Sequence, residues 1–320
     1  ETMQVQKLVV HSVDNSLDAV VLSKRQVNLN QNAALDTFIQ KFYKGILNSS
    51  ASYDGILNEE SILNQSEDIA FNFMSVSTAL AQTWFDHYEG STRHTALNLI
   101  FALITDKEKT SFAMFEVTSR SGFLRKADED ENEIEHSMGI MSDSLASVKT
   151  AFVYELNEKT LKVRHAKESQ IYLEEKLSFE TIHNTKMNLE ILDAMVDYVS
   201  EKRSEDVFQN TIKSKQLILD NSEVFEEIEP KRILETIFND FDEDERLFID
   251  ETIQDSKMSA LIPSQEVNKL SARKKHKLKT ESGIDITLPL DSLRIEEVFE
   301  VIENPDGTVD ILIKNVGGIE

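Results

Sequence analysis

Two long apolar runs joined by a short charged turn restrict what this chain can fold into more than any other feature. Residues 97–105 (LNLIFALIT) and 110–118 (TSFAMFEVT) flank Asp106-Lys107-Glu108-Lys109. Apolar runs of this length, rich in β-branched and aromatic residues, predict a hairpin at the centre of a sheet. Residues 148–156 and 160–164, around Asn157-Glu158-Lys159, predict a second hairpin. Near the start, residues 7–11 (KLVVH) and 17–22 (LDAVVL) are separated by Asp14-Asn15-Ser16 and predict a hairpin or two adjacent strands. Glu1 and Thr2, ahead of Met3, read as additions and stay outside the fold reasoning. Between the two larger hairpins, residues 126–136 (KADEDENEIEH) are so acidic that a loop is expected.

Other stretches carry the helical period. Leu35, Phe38, Ile39, Phe42 and Ile46 line one face of a predicted helix over 32–47. Ile69, Phe73, Val76, Leu80 and Trp84 do the same over 66–88, with Gly90 as the stop. After about residue 168 strands are expected to disappear. Helices are predicted over 187–201, 205–219, 230–240, 242–253 and 263–270. Pro230 suits a first helical turn, and Asp242 with Glu245 matches a capping box. Strands return at 283–288, 298–302 and 308–313, the last two around the turn Asn304-Pro305-Asp306-Gly307. The expected fold is α+β: a mixed strand and helix N-terminal half (3–167), a helical middle (168–270), and a basic linker with a small antiparallel β element (271–320).

Charge and composition exclude whole classes of function. The chain has 34 Lys and Arg against 58 Asp and Glu, a formal charge of −24 over 320 residues. Such a surface repels nucleic acid and anionic lipid over most of its extent. With no cysteine there is no disulfide, thiolate zinc site or thiol nucleophile, and a reducing cytoplasm is expected. No apolar run is long enough for a membrane span, and no signal peptide is visible. No GxxxxGK[ST] or GxGxxG supports nucleotide binding, no GxSxG supports a hydrolase, and no HExxH supports zinc. His87 and His94 are interrupted by Gly90. The run from Asp240 to Glu251 has calcium-loop spacing but carries Glu245 where the loop needs glycine, and the run from Asp128 has Glu133 there. No cofactor and no metal are expected.

One segment departs from the acidic background. Residues 269–279 (KLSARKKHKLK) hold Lys269, Arg273, Lys274, Lys275, Lys277 and Lys279 and no acid. The near field of such a cluster survives a distant acidic body, because the Debye length at physiological salt is about 8 Å. It reads either as an anion site for phosphate backbone or as a solvated basic linker. A weaker second patch is Arg120, Arg125 and Lys126 around Phe123 (RSGFLRK), where an aromatic among bases suits nucleic-acid contact. The plainer expectation for Phe123 is a strand-edge loop with the ring tucked into the core.

Three stretches, LVVHSVD…LDAVVLSKRQVNLN, SASYDGILNEES and KTESGIDITLPLDSL…VFEVIENPDGTVDILIKNV, resemble the bacterial nucleoid-associated protein family, NdpA-like. The resemblance implies a cytoplasmic protein found with the nucleoid, with DNA or DNA-bound proteins as partners, no membrane, and no catalytic residues to carry over. The expectation is therefore a binding protein, not an enzyme, contacting DNA through the 269–279 cluster without sequence preference. The alternatives are an acidic adaptor to DNA-bound enzymes and, from another class, a metal-dependent nucleic-acid enzyme, which needs a carboxylate cluster. The amphipathic helices leave room for a homodimer.

Overall fold

The computed structural model describes residues 2–14, 19–88, 97–165, 170–290 and 295–318. The expected turn at Asn15-Ser16, the stop at Gly90 and the residue His94 lie outside the described residues. The chain forms two compact units, Glu1–Ile182 and His183–Glu320. Together they make an α+β protein, as the sequence indicated.

The first unit contains, in chain order, β1 (Gln4–Asp14), β2 (Ala19–Val21), α1 (Ala33–Asn48), β3 (Tyr53–Leu57), α2 (Ile62–Gln65), α3 (Phe73–Tyr88), β4 (Leu97–Asp106), β5 (Lys109–Ala127), β6 (Asn132–Met141), β7 (Val148–Glu155), β8 (Thr160–Arg164), α4 (Gln170–Leu177) and β9 (Phe179–Ile182). One sheet runs in the order β2-β1-β4-β5-β7-β8-β3-β9, with β6 paired to β5. Its recorded ladders are antiparallel. Helices cover both faces of its centre, which is why the runs in β4 and β5 are almost continuously apolar. Side chains along a strand alternate between faces. Ala113, Phe115 and Val117 of β5 face α1, where Phe42 packs on Phe115 with ring centroids 5.6 Å apart. Phe112 of β5 faces the other side, edge-on to Phe73 of α3, and Glu116 there accepts a hydrogen bond from the Trp84 indole at 3.1 Å. His11 is a satisfied core histidine: its Nδ1 accepts the Ser23 N–H at 3.0 Å, which leaves Nε2–H to face the Ser77 hydroxyl at 3.3 Å.

Besides the unpredicted strand β3, the structure departs from expectation in three places here. The second helix starts at Phe73, not Ser66, because residues 62–65 already form the short α2, capped by Ser61. Strand β9 follows residue 168 and pairs with β3, at the sheet edge. The acidic stretch expected as a loop is the end of β5, a turn at 128–131 and the start of β6, so β5 and β6 project as an exposed two-stranded arm.

The second unit contains α5 (Thr185–Lys202), α6 (Val207–Val224), β10 (Glu227–Ile228), α7 (Pro230–Phe238), α8 (Glu243–Asp255), β11 (Ile262–Pro263), α9 (Ser264–Lys269), β12 (Lys275–Lys279), β13 (Asp285–Pro289), α10 (Ile295–Val298), β14 (Phe299–Glu303) and β15 (Val309–Ile313). The stripe Leu189, Leu192, Met195, Val196 and Val199 of α5 packs with Ile233, Leu234, Ile237 and Phe238 of α7. Pro230 occupies the first turn of α7, and Asp242 and Glu245 form the capping box of α8. That box explains why the Asp240–Glu251 run does not resemble a calcium loop in space: the Asp242 and Glu245 carboxylates are committed to the helix start. Glu245 is buried and also receives Arg203 through Nε at 2.8 Å and Nη2 at 2.7 Å, while Arg203 Nη1 donates to the Phe238 carbonyl at 2.6 Å. These hydrogen bonds hold the Glu245 carboxyl below its usual range and raise Arg203. Among the described residues, no helix is long and apolar enough to cross a membrane.

Removing one partner of a buried, hydrogen-bonded ion pair leaves the other charge unpaired. Arg203→Ala is expected to destabilise the protein by about 3 kcal/mol in urea unfolding, with part of the loss recovered when Glu245→Gln is combined with it.

Candidate nucleic-acid interface

The site grows from the local pattern Lys275-His276-Lys277-Leu278-Lys279. A strand sends successive side chains to opposite faces, so this segment separates into an apolar and a cationic row. The stretch expected to be a linker is a tight 3-10 turn (Ser271–Lys274) followed by β12, which pairs in register with β13: Lys275 opposite Pro289, Lys277 opposite Thr287 and Lys279 opposite Asp285. The connecting turn needs Gly283, whose φ is +88°, and Thr280 Oγ1 accepts the Ile284 N–H at 2.9 Å.

The inward row docks on α6. Leu278, Ile286 and Leu288 pack with Ile212 and Leu219 of α6 and with Phe299 of β14, and Phe208 of α6 meets the His276 ring edge-on at 5.4 Å. Two polar anchors fix the start of the hairpin. Arg273 donates to both carboxylate oxygens of Asp193 on α5, at 2.5 and 3.1 Å. Lys215 of α6 donates to His276 Nδ1 at 3.0 Å. A nitrogen that accepts from an ammonium is unprotonated. Burial, and then the neighbouring Lys215 charge, push His276 down to about 4, with Asp193 opposing. Burial also lowers Lys215.

The outward row is Lys275, Lys277 and Lys279, all exposed. Among the described residues no carboxylate lies within ion-pair distance of these three or of the half-buried Lys274. Residues on one face of a strand recur every ~6.7 Å, so the row spans about 13 Å. One strand of a duplex places a phosphate every 3.4 Å along the helix axis, so the row can face about four phosphates. The remaining members of the sequence cluster are placed differently. Arg273 is neutralised by Asp193 and only 13% exposed, and Lys269 at the end of α9 pairs with Glu266 at 2.7 Å. That second pair is exposed and weak, so an anion can compete for Lys269.

The second basic group does not form one patch. Arg120 lies at the base of the β5–β6 arm, opposite Ile140. Arg125 and Lys126 lie near the tip on opposite faces, Arg125 bonded to Asn132 Oδ1 at 2.5 Å and Lys126 paired with Glu135. Six carboxylates fall within 128–135. Asp128 caps the turn by accepting the Asp130 and Glu131 N–H groups, which lowers its pKa. Phe123 does not tuck into the core: it is 73% exposed, because at this point β5 has run past the helices that cover the sheet. Among the described residues no group of three or more His, Asp or Glu is arranged to hold a metal ion. Sequence reasoning did not single out Asp193 and Lys215, the residues that fix Arg273 and His276. The available signal was the alternation in KHKLK, which marks a strand with a buried row and hence a need for partners.

These observations define a strongly acidic, two-unit α+β protein that presents a short row of exposed lysines, without an ion-pair partner among the described residues, on a docked hairpin. The family model for "Nucleoid-associated protein YejK" matches residues 9–318, and the chain belongs to that family. It is a family of nucleoid-associated proteins, not an enzyme family, and membership assigns the chain to the nucleoid, in the cytoplasm. No individual curated protein matches the chain.

His276 gives this site a pH signature. Its folded pKa lies below its ordinary 6.5, so between those values the unfolded chain binds a proton the folded chain does not. Its contribution is complete above 6.5 and is lost as pH falls towards 4. Thermal unfolding is expected to show a smaller drop in Tm between pH 7 and pH 5 for His276→Phe than for wild type, whatever constant offset the substitution adds.

Proposed function

We infer that this protein binds the DNA backbone without reading sequence, through Lys275, Lys277 and Lys279, with Lys274 and Lys269 at the margin. The observation that carries the reading is the lysine row: three exposed cations on one face, at strand spacing, with no carboxylate within ion-pair distance of them among the described residues and with Asp285 across the ladder from Lys279. Contacts to phosphate position a protein and carry no base information, which suits a row with no aromatic or amide side chain beside it. The negative charge of the rest of the molecule restricts DNA to this face and opposes the coating of long duplex stretches. Binding rather than turnover is the proposed activity, so labelled duplex incubated with the protein and a divalent cation stays intact.

Three phosphate contacts correspond to a slope of log affinity against log salt of about −2.7, and five would give about −4.5. Wild type is expected to fall between these values in a duplex titration. Lys275→Gln/Lys277→Gln/Lys279→Gln is expected to flatten the slope by roughly 2–3 and to weaken all duplex sequences alike. Arg125→Gln/Lys126→Gln is expected to leave both unchanged. An unaltered slope in the triple variant removes this row from the mechanism.

A second reading is favoured by the six carboxylates at the arm tip and the charge of −24: association with the nucleoid through a basic surface of a DNA-bound protein. The two readings separate on co-purification after nuclease treatment. Partners that remain attached, together with no affinity of the purified protein for duplex at low salt, favour the adaptor.

A further inference from the structure

The outward face of the β12–β13 hairpin holds more than lysines. Residues directly opposite in an antiparallel ladder share a face, so Pro289, Thr287 and Asp285 of β13 stand beside Lys275, Lys277 and Lys279 of β12. Thr287 and Asp285 are exposed, as the lysines are. The ladder brings these pairs close together. The Thr280 N–H donates to the Ile284 carbonyl at 2.9 Å and the Leu290 N–H to the Lys274 carbonyl at 2.8 Å, so the hydrogen-bonded pairs of this hairpin fall at Lys274, His276, Leu278 and Thr280. The three lysines therefore occupy the non-hydrogen-bonded pairs, in which Cα atoms lie about 4.5 Å apart and side chains approach most closely. The row is thus unequal along its length. At one end Lys275 faces the uncharged Pro289, in the middle Lys277 faces the Thr287 hydroxyl, and at the turn Lys279 faces a carboxylate. Lys279 and Asp285 are beyond ion-pair distance of each other, and both are open to solvent. The Lys279 ammonium can therefore turn to a phosphate, but the Asp285 carboxylate stays within a Debye length of that phosphate, about 8 Å at physiological salt.

We propose that Asp285 is the affinity-limiting residue of the lysine row: its carboxylate competes with the DNA phosphate for Lys279 and weights the contact towards Lys275 and Lys277. This rests on the DNA-backbone reading of the row. The same pair has a structural use, because opposite charges directly across a ladder favour its register. The two roles differ in sign. Loss of a register contact weakens DNA binding or leaves it alone, whereas loss of a competitor for Lys279 strengthens it. They differ in coupling as well. A competitor makes the contribution of Lys279 to DNA binding depend on the charge at residue 285, and leaves that of Lys275, beside Pro289, nearly independent of it.

A double-mutant cycle on Asp285 and Lys279, read by duplex titration at several salt concentrations, tests this. Asp285→Asn is expected to tighten binding by about three- to tenfold at low salt and to steepen the salt slope by up to about 0.9, the value of one further phosphate contact. Asp285→Glu keeps the charge and is expected to bind as wild type does. Asp255→Asn removes an exposed carboxylate of α8 in the same unit and is expected to leave both affinity and slope close to wild type. In the wild-type background Lys279→Gln is expected to cost less affinity than Lys275→Gln or Lys277→Gln, and in the Asp285→Asn background the three are expected to cost about the same. Weaker or unchanged binding by Asp285→Asn, an equal gain from Asp255→Asn, or a Lys279→Gln cost that ignores residue 285 each overturns the proposal while leaving the lysine row in place. Unchanged binding by all three lysine substitutions removes the DNA-backbone reading itself, and the role of Asp285 with it.

Discussion

The alternation of side chains along a β-strand is the constraint on which the proposed DNA-binding surface depends. In a flexible segment, Lys275, Lys277 and Lys279 would sample all directions and His276 and Leu278 would stay wet. In β12 they cannot: His276 and Leu278 go into the hydrophobic cluster on α6, and the lysines are forced out together on the opposite face. Burial of Leu278, Ile286, Leu288 and Phe299 holds a hairpin that could not persist alone in water. The Arg273–Asp193 and Lys215–His276 contacts fix where along α5 and α6 it sits. A cation cluster of six thereby becomes an ordered row of three. The loss in number brings a gain in definition, because the backbone under the row is already ordered and only the lysine side chains lose freedom when an anion binds.

The same rule governs the arm. Extending β5 past the edge of the helical layers carries the sheet's α1-side face into solvent, and the residues that continue that face are Phe123 and, across from Arg125, Ile134. The charged residues on the reverse face and at the tip keep the arm from pairing indiscriminately, as exposed edges otherwise do. The acidic character of this stretch belongs to one face and one turn, not to an unstructured loop.

Much of the fold was legible because burial imposes periods that survive in the sequence. The stripe on α5, the proline and capping box of α7 and α8, the turn at 304–307 and the hairpins β4–β5 and β7–β8 all lie where apolar spacing and turn chemistry placed them. Strands with half their positions charged were not legible. In β12 and in residues 126–136 the charges dominate the composition, and a period of two between lysine and leucine is easily read as a solvated run. Strands β3 and β9 were missed because both are short segments near one end of the sheet whose exposed Ile56 and Ile182 break the apolar pattern. Of the site, the sequence supplied the lysines. It could not supply Asp193 and Lys215, which come from helices 60 to 80 residues away in the chain and decide that Arg273 is not available to a ligand.

The central proposal is that DNA meets this protein at the outward face of β12, with Lys274 and Lys269 at its margin. Lysine acetylation footprinting with mass-spectrometric readout tests it directly, on the wild-type protein with and without saturating duplex at low salt. The account expects Lys275, Lys277 and Lys279 to be modified readily in the free protein and protected together in the complex, while Lys231 and Lys257 of the same unit keep their reactivity. Equal modification of the three lysines in free and DNA-bound protein, or protection confined to lysines elsewhere, contradicts it.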